Sequence, residues 1–300
     1  VPADGEYVIE IRDVHLRGGD DFVYLLEVTR AEPAFELVLD SDKSWLTPGT
    51  SAALFVRAVR KNGFDQEIQL HVDGLPDGVT AACGRILAGK GQDGCIILTA
   101  APQADLQAAN IHVWGTAVVQ DPETPSEAVN DTATAIADPG NAAEPVAAVA
   151  QAMQEIYMPG GGRSHWPVSM HTVAVGRPAD ILNVRLSTYE LTLKPGEAAR
   201  VDVEIVRAEG FDKNVTLDLL FQHLSSKFAN TLPEGVTIDA KKSQTLLTGT
   251  NSKGSVTLVA AAGAPPVSRH QCCVMANVSI NFVMKATYSS RPLLITVAAP

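Results

Sequence analysis

The sequence predicts an all-β fold made of two tandem sandwiches, and three observations support this. Short segments of alternating polarity recur along most of the chain, and Pro- and Gly-containing turns separate them. Many of these segments repeat in the same order in the second half. Hydrophobic residues make up 46% of the 300 residues, which is enough for packed cores, and this length suits two or three domains.

The repeat is visible as five pairs of matched segments. The first three pairs share an offset of 147, for example from Arg60 to Arg207, and the second copy carries an insertion at 222–230 before the fourth pair. Dispersed matches with the insertion confined to a loop-like place indicate a duplicated architecture. The pairs are 46–49 (LTPG) with 193–196 (LKPG), 60–65 (RKNGFD) with 207–212 (RAEGFD), 68–70 (IQL) with 215–217 (VTL), 75–79 (LPDGV) with 232–236 (LPEGV), and 94–100 (GCIILTA) with 254–260 (GSVTLVA).

The recurring Gly-Phe-Asp triplets are interpreted as structural turns. The Phe is expected to cap one end of a sandwich, and the Asp is expected to bond turn amides. An active site seldom recurs in both halves of a tandem array, so recurrence favours structure over catalysis. The six residues are Gly63, Phe64 and Asp65 in the first copy and Gly210, Phe211 and Asp212 in the second.

Each copy contains about seven or eight predicted short strands, which is typical of an immunoglobulin-like (Ig-like) sandwich. The first sandwich is predicted over 33–138 and the second over 179–300. Neither copy has the disulfide between sheets or the third-strand Trp of antibody domains. Segments 53–59 and 200–206 alternate as half-buried strands do.

Two flanking segments lie outside the repeat. Residues 1–32 predict a β-hairpin, because two alternating segments surround a Gly-Gly turn. Residues 139–178 predict a connector with a short helix over 142–157, capped by Asn141 and ended by Pro159 and three glycines.

The four cysteines allow more than one interpretation. Cys83 and Cys95 flank a predicted hairpin at 84–94, so a disulfide between them fits an exported protein, and buried free thiols fit equally well. Cys272 and Cys273 are adjacent, so on a strand they point to opposite faces. One of the two is expected in the core and the other at the surface.

The acidic composition limits the classes of partner. A formal net charge of −11 disfavours nucleic acid and anionic membranes, because Lys and Arg supply most phosphate affinity. Asp13, Asp20 and Asp21 cluster around the first hairpin and form a candidate calcium site, with turn formation as the alternative. Asp40 and Asp42 form a weaker second candidate.

Histidine and tryptophan supply two further candidates. His165 and His171 surround Trp166 but match no zinc spacing, so ordinary loop histidines are expected. Trp45, Trp114 and Trp166 suit either a sugar-binding surface or core packing, and core packing is expected for Trp45 and Trp114 because both lie on predicted strands.

The sequence also bears on the cellular compartment. Its most apolar stretch, 142–152, is interrupted by Glu144 and Pro145 and is too short to span a membrane. The chain begins at Val1 without a signal-peptide pattern, which fits a mature secreted protein, a fragment or a cytosolic protein.

The opening segments 4–13 (DGEYVIEIRD) and 18–28 (GGDDFVYLLEV) resemble the last two strands of bacterial pre-peptidase C-terminal domains. The Gly-Phe-Asp triplets and the segment 74–79 (GLPDGV) resemble Ig-like repeats that accompany such domains in large secreted proteins of planctomycete-type bacteria. The resemblance implies an exported bacterial protein in which these are accessory modules. Its expected location is extracellular, at the cell surface or in the periplasm.

The sequence contains no nucleophile elbow, zinc-protease motif, P-loop or dinucleotide fingerprint. The predicted function is therefore a non-catalytic structural, adhesive or assembly module whose partners are other protein domains, copies of itself or a glycan. The alternative is an accessory carbohydrate- or calcium-binding region of a secreted hydrolase whose catalytic domain lies outside this chain. An enzyme within the 300 residues is the third hypothesis, and calcium is the one cofactor considered.

Overall fold

The computed structural model describes residues 5–28, 31–89, 91–118, 145–158, 162–177, 180–223, 226–280 and 285–299. These residues form two compact units, Val1–Glu32 and Pro33–Pro300. Every regular element in the described ranges is a β-strand, which confirms the all-β prediction. Within those ranges no helix has the length and apolar character needed to cross a membrane.

The strands all lie in the Pro33–Pro300 unit. In chain order they are β1 (Ala34–Leu39), β2 (Lys43–Leu46), β3 (Ser51–Lys61), β4 (Ile68–Asp73), β5 (Val79–Cys83), β6 (Arg85–Ile86), β7 (Asp93–Ala100), β8 (Gln107–Val118), β9 (Pro145–Met158), β10 (Gly162–Val168), β11 (His171–Val175), β12 (Ile181–Leu186), β13 (Glu190–Leu193), β14 (Ala198–Arg207), β15 (Val215–Asp218), β16 (Leu220–His223), β17 (Ser226–Asn230), β18 (Val236–Ile238), β19 (Leu246–Leu247), β20 (Lys253–Ala260), β21 (Val267–Cys272), β22 (Met275–Ser279), β23 (Lys285–Ser289) and β24 (Leu293–Val297).

The first sandwich encloses its own hydrophobic core between two layers. One layer has the antiparallel order β1-β3-β7-β5. The other runs β6-β4-β8, with β9 and β11 paired to β8 and β2 parallel to β11. Leu37, Leu54, Ile96 and Ile111 lie in the core between them, each at most 2% exposed. This order corresponds to the two sheets of an Ig-like domain.

The second sandwich repeats this arrangement. One layer has the order β12-β14-β20-β18. The other layer contains two groups of strands, β13-β24-β21 and β23-β22-β15-β19. Short segments without strand structure separate β21 from β22 and β23 from β24. β13 runs parallel to β24, as β2 does to β11. Val203, Leu217, Leu258 and Ile295 belong to its core.

The helical connector predicted over 139–178 is wrong. The described part of the predicted helix is the 14-residue strand β9, which pairs with β8 and β10, and β11 completes the layer. Exposure along 145–152 alternates with a period of two, as in a strand. A short run of Ala and Val does not distinguish helix from strand by itself, and the unpaired edge of β8 decides the outcome. The predicted cap Asn141 and the end of the first predicted sandwich, 119–138, lie outside the described residues.

The β-hairpin predicted over 1–32 is not formed in the described residues 5–28, which contain turns but no strand. Its apolar side chains are not covered: Val8 is 96% exposed and Leu25 is 92% exposed. An isolated two-stranded hairpin is marginal in water. Alternating polarity therefore does not produce a sheet here, since no described strand pairs with the segment.

The recurring turns are held by an arginine. Gly63 and Gly210 have φ of +80° and +78°, a conformation that favours glycine. Arg60 lies 5.3 Å from the ring centre of Phe64, and Arg207 lies 5.4 Å from that of Phe211.

The same two arginines also bond backbone carbonyls. Arg60 donates to the carbonyls of Gln66, Leu87 and Gly91. Arg207 donates to those of Lys213 and Asn251. Gln66 and Lys213 each lie six residues after their arginine, so the bond recurs with the motif. In both copies the side chain that bonds the turn carbonyls is therefore this arginine, which the sequence analysis did not single out.

Arg60→Lys is expected to lower the free energy of unfolding by about 1–2 kcal/mol, because lysine keeps the charge but not the fork that reaches three carbonyls. Urea denaturation followed by tryptophan fluorescence measures this. Arg200→Lys, at an exposed ion pair with Asp202, is the control and should change stability by less than about 0.5 kcal/mol. Equal effects of the two variants would contradict the bridging role.

Candidate functional site

The most distinctive site in the described residues is a third hydrophobic cluster, between the two sandwiches. We call it the interdomain cluster. Phe55, Cys95, Ile97 and Met275 are each at most 1% exposed, so the contact is as dry as a core. Its fully buried members are Phe55, Cys95, Ile97, Ala229, Cys273 and Met275, and Ala53, Ala82, Phe221 and Phe228 pack against them.

The first sandwich contributes the outer face of its β3-β7 layer. Along β7, Ile96 and Leu98 point into the first core, whereas Cys95 and Ile97 point into the interdomain cluster. Phe55 on β3 faces the same way as Cys95, directly opposite it in the register. Around Phe55 and Cys95 both faces of this layer are therefore apolar and buried, whereas Val59, at the end of the strand predicted over 53–59, is 42% exposed.

The second copy shows why that face is special. At the repeat offset, Phe55 corresponds to Asp202, whose side chain is 63% exposed and paired with Arg200. Cys95 corresponds to Ser255, whose hydroxyl accepts a hydrogen bond from the Gln244 amide. The equivalent face of the second sandwich is thus polar. The difference between the copies was visible in the sequence, and it is the signal that locates the cluster.

The second sandwich contributes the insertion found in the sequence, 222–230. It forms most of the hairpin β16-β17. Phe221 on this hairpin stacks on Phe55, with ring centres 4.9 Å apart and an interplanar angle of 19°. Phe228 lies edge-on to Phe221 at 6.2 Å. The insertion is therefore the element that docks the second sandwich onto the first.

Polar contacts surround the cluster and fix its register. Asp93 accepts a hydrogen bond from the backbone amide of Asn230 at 2.9 Å. It also forms an ion pair with Arg57, whose Nε lies 2.8 Å from the carboxylate. The Arg57 guanidinium also lies 4.9 Å from the ring centre of Phe228. Asp93 is largely buried, with 7% of its side chain exposed, so this pair is protected from solvent screening.

A buried glutamine bonds backbone across the same interface. Gln271 donates to the carbonyl of Ala82 at 2.9 Å and to that of Cys95 at 3.0 Å. Gly84 lies directly below it, and a Cβ there would come within 2.6 Å of the Cys95 carbonyl. One pair of residues in β-sheet register, Ser289 with Ser51, also joins β23 to β3. The backbones of the two sandwiches thus approach closely at this point.

The cysteines are not placed as the sequence predicted. Cys83 and Cys95 are unbridged, and they lie on opposite faces of the β5-β7 layer, so the predicted disulfide is excluded by geometry. Cys272 and Cys273 do point to opposite faces, but both are fully buried. Cys272 belongs to the second core and Cys273 to the interdomain cluster. The expected surface position is covered by the first sandwich.

The predicted calcium ligands are not brought together. Asp13 accepts hydrogen bonds from Arg17 and from the amide of His15. The Arg17 bond holds the pKa of Asp13 below its usual value. No group of three or more His, Cys, Asp or Glu side chains in the described ranges, which include Asp20, Asp21, Asp40 and Asp42, is arranged to hold a metal ion.

The histidines singled out in the sequence are structural in their contacts. His171 is 1% exposed, and its ring nitrogens lie 2.9 Å from the Ser44 hydroxyl and from the Ser41 carbonyl. Burial lowers its pKa. His165 lies on the β9-β10 hairpin beside Glu155, 4.0 Å away.

The tryptophans are more exposed than predicted. Trp45 is 59% exposed and Trp166 is 63% exposed, so core packing is wrong for Trp45. Trp114 stacks on His71 at 4.1 Å between ring centres and donates to Asp73 at 2.7 Å. The three tryptophans lie on three different strands, β2, β8 and β10.

A buried histidine that the sequence did not single out lies near the interface. His270 is 2% exposed, and one ring nitrogen lies 2.9 Å from the Thr231 carbonyl. Burial lowers the pKa of His270 to about 4, and the charge of Arg85 acts in the same direction. This histidine is therefore neutral in the folded protein at neutral pH.

Phe221→Ala is expected to lower the free energy of unfolding by about 2–3 kcal/mol, because it removes a half-buried ring from the stack on Phe55. Urea denaturation measures the change. Phe22→Ala is the matched control in the other unit, and it should change stability by less than about 0.5 kcal/mol. A loss below that level for Phe221→Ala would contradict the docking role.

Stability should decrease as the pH falls from about 6.5 to about 4. In the unfolded chain His270 has its ordinary pKa of 6.5, whereas in the folded protein its pKa is about 4. The unfolded state therefore binds more protons in this pH window, and the free energy of unfolding falls by about 3 kcal/mol across it. Urea midpoints at several pH values measure the slope. His270→Gln should flatten it, and an unchanged slope would contradict the assignment.

No protein-family model matches the chain, so the resemblance to pre-peptidase C-terminal domains has no family match behind it, and no curated protein matches either. Solved structures match at low identity. The D0-D1 domain of intimin is 13% identical over 87% of this chain and 97% of its own, with a TM-score of 0.26. Domains 4–9 of the surface layer protein SbsC are 10% identical over 89% of this chain and 32% of their own, at 0.29. The titin domains z1z2 in complex with telethonin are 13% identical over 91% and 100%, at 0.20.

Proposed function

We propose that the chain is a rigid, non-catalytic module of two tandem Ig-like sandwiches that spaces or assembles parts of an exported bacterial surface protein. The observation that carries this is the interdomain cluster. Interfaces between domains of one chain are usually polar and permit relative motion, whereas a large apolar interface opposes it. A chain that devotes an inserted hairpin to docking its own two domains has rigidity as its distinguishing property.

The net charge of the chain is compatible with the proposed role. The net charge of −11 keeps the chain soluble and opposes binding to nucleic acid.

The predicted domain limits, 33–138 and 179–300, are extended in this proposal, since β11 (His171–Val175) pairs with β8 and β2 of the first sandwich. The cell surface or periplasm remains the proposed location.

Assembly between copies is proposed to use the β9-β10 hairpin. Among the described residues β10 pairs with β9 alone, so its second edge carries unpaired backbone groups. Such an edge is a template for another strand. Trp166 on β10 is 63% exposed and would pack against an added strand.

A second function is favoured by the exposed aromatic side chains. Trp45, Trp166 and the Trp114–His71 stack suit the faces of sugar rings, which supports an accessory carbohydrate-binding region. Glycan-array binding that is lost in Trp45→Ala or Trp114→Ala would favour this function. A glycan array without signal would remove it.

Sedimentation velocity over a wide concentration range tests the assembly proposal. The chain should self-associate, and Trp166→Lys should weaken the association at least tenfold, because a charge on an edge strand opposes strand addition. Val149→Lys is the matched control: it adds the same charge at a 72% exposed apolar position on the sheet face and should leave association unchanged. A chain that stays monomeric and binds no cell-envelope preparation would contradict both assembly and adhesion.

A further inference from the structure

We propose that Cys95 and Cys273 close into a disulfide between the two sandwiches when the chain folds under oxidising conditions. Among the four cysteines, these two alone share one cluster, and both are fully buried in it. Cys95 lies on β7 of the first sandwich, and Cys273 lies between β21 and β22 of the second. The bridge would therefore join the two domains covalently.

The backbone around the two thiols is already positioned for this bond. Gln271, two residues before Cys273, donates to the Cys95 carbonyl, and the Cys95 thiol lies 3.6 Å from the Gln271 carbonyl. Disulfide formation requires close Cβ atoms and facing side chains, and both cysteine side chains enter the same buried cluster.

The other possible pairings are excluded by orientation. Cys83 points into the first core, on the opposite face of the sheet from Cys95. Cys272 points into the second core, where its thiol donates to the Thr231 carbonyl at 3.0 Å. Adjacent Cys272 and Cys273 face opposite sides, so they do not pair with each other.

The bond forms by thiol–disulfide exchange with a disulfide-bearing oxidant, such as oxidised glutathione or a disulfide oxidoreductase. One thiolate attacks the oxidant's disulfide, which forms a mixed disulfide and releases a thiol. The second thiolate attacks the protein sulfur of that mixed disulfide and releases the second thiol. Two electrons and two protons pass from the cysteines to the oxidant, which leaves as two thiols or one dithiol.

The burial of the pair determines when this happens. Its interaction with the Cys95 side chain and its burial both raise the pKa of Cys273 well above the ordinary value, so the docked Cys273 thiol is protonated and unreactive. Exchange therefore takes place while the hairpin β16-β17 is undocked, during folding. Once docking has covered the bond, a reductant in solution reaches it only after the interface opens.

The test refolds the full chain carrying Cys83→Ala and Cys272→Ala in a buffer of reduced and oxidised glutathione. Thiol titration of the denatured product should find no free thiol, and its mass should fall by about 2 Da, as one disulfide requires. Two titratable thiols after refolding would overturn the proposal.

The wild-type chain gives an independent measurement if that variant fails to fold. Peptide mapping without reductant should show the peptide of Cys95 joined to that of Cys273, and another pairing or none would overturn the proposal. Oxidation should raise the Tm by on the order of 5–10 °C, since the bond closes a long loop. Cys95→Ala/Cys273→Ala should have one Tm in both buffers. This chemistry does not depend on assembly, so a chain that assembles with both thiols reduced would overturn the bridge and leave the proposed function standing.

Discussion

The stack of Phe221 on Phe55 is the contact on which the described architecture depends. Each sandwich encloses its own core, so each has a reason to fold separately. What joins them is the outer face of the β3-β7 layer, and that face needs a cover because it carries Phe55, Cys95 and Ile97 rather than polar residues. Without the β16-β17 hairpin, this apolar face would be exposed to water, where patches of this kind bind partners or aggregate.

The duplication explains how such an interface arises from two similar domains. Two identical sandwiches with polar outer faces would have no preferred contact. Here the first copy replaces the Arg200 and Asp202 of the second with Ala53 and Phe55, and the second copy adds a hairpin that the first lacks. Each change is costly alone, because one exposes a ring and the other an unsupported hairpin. Together the changes remove both costs.

The sequence was sufficient where local pattern and tertiary pairing agree. It predicted the all-β fold, the insertion and the recurring Gly63 and Gly210 turns, since turn chemistry and short alternating segments are local properties. It failed for β9, where an Ala-rich run acquires its conformation from the edge of β8. It also failed for residues 5–28, where alternation has no partner strand.

The site was less predictable than the fold because it depends on contacts between distant segments. Cys95 and Cys273 are 178 residues apart in the sequence, and the residues around each cysteine do not indicate that the two form a pair. The arginine role in the turns was missed for a related reason: Arg60 reaches carbonyls at Leu87 and Gly91 that only the folded chain brings near. Comparing the two copies position by position recovers part of this information, because a polar residue in one copy identifies a covered apolar residue in the other.

Differential scanning calorimetry of the full chain tests the central claim most directly, because rigid docking requires the two sandwiches to unfold together. A single transition is predicted, with calorimetric and van't Hoff enthalpies in agreement. Two resolved transitions, or a calorimetric enthalpy about twice the van't Hoff value, would mean that the sandwiches unfold independently and that the interdomain cluster does not hold them as one body.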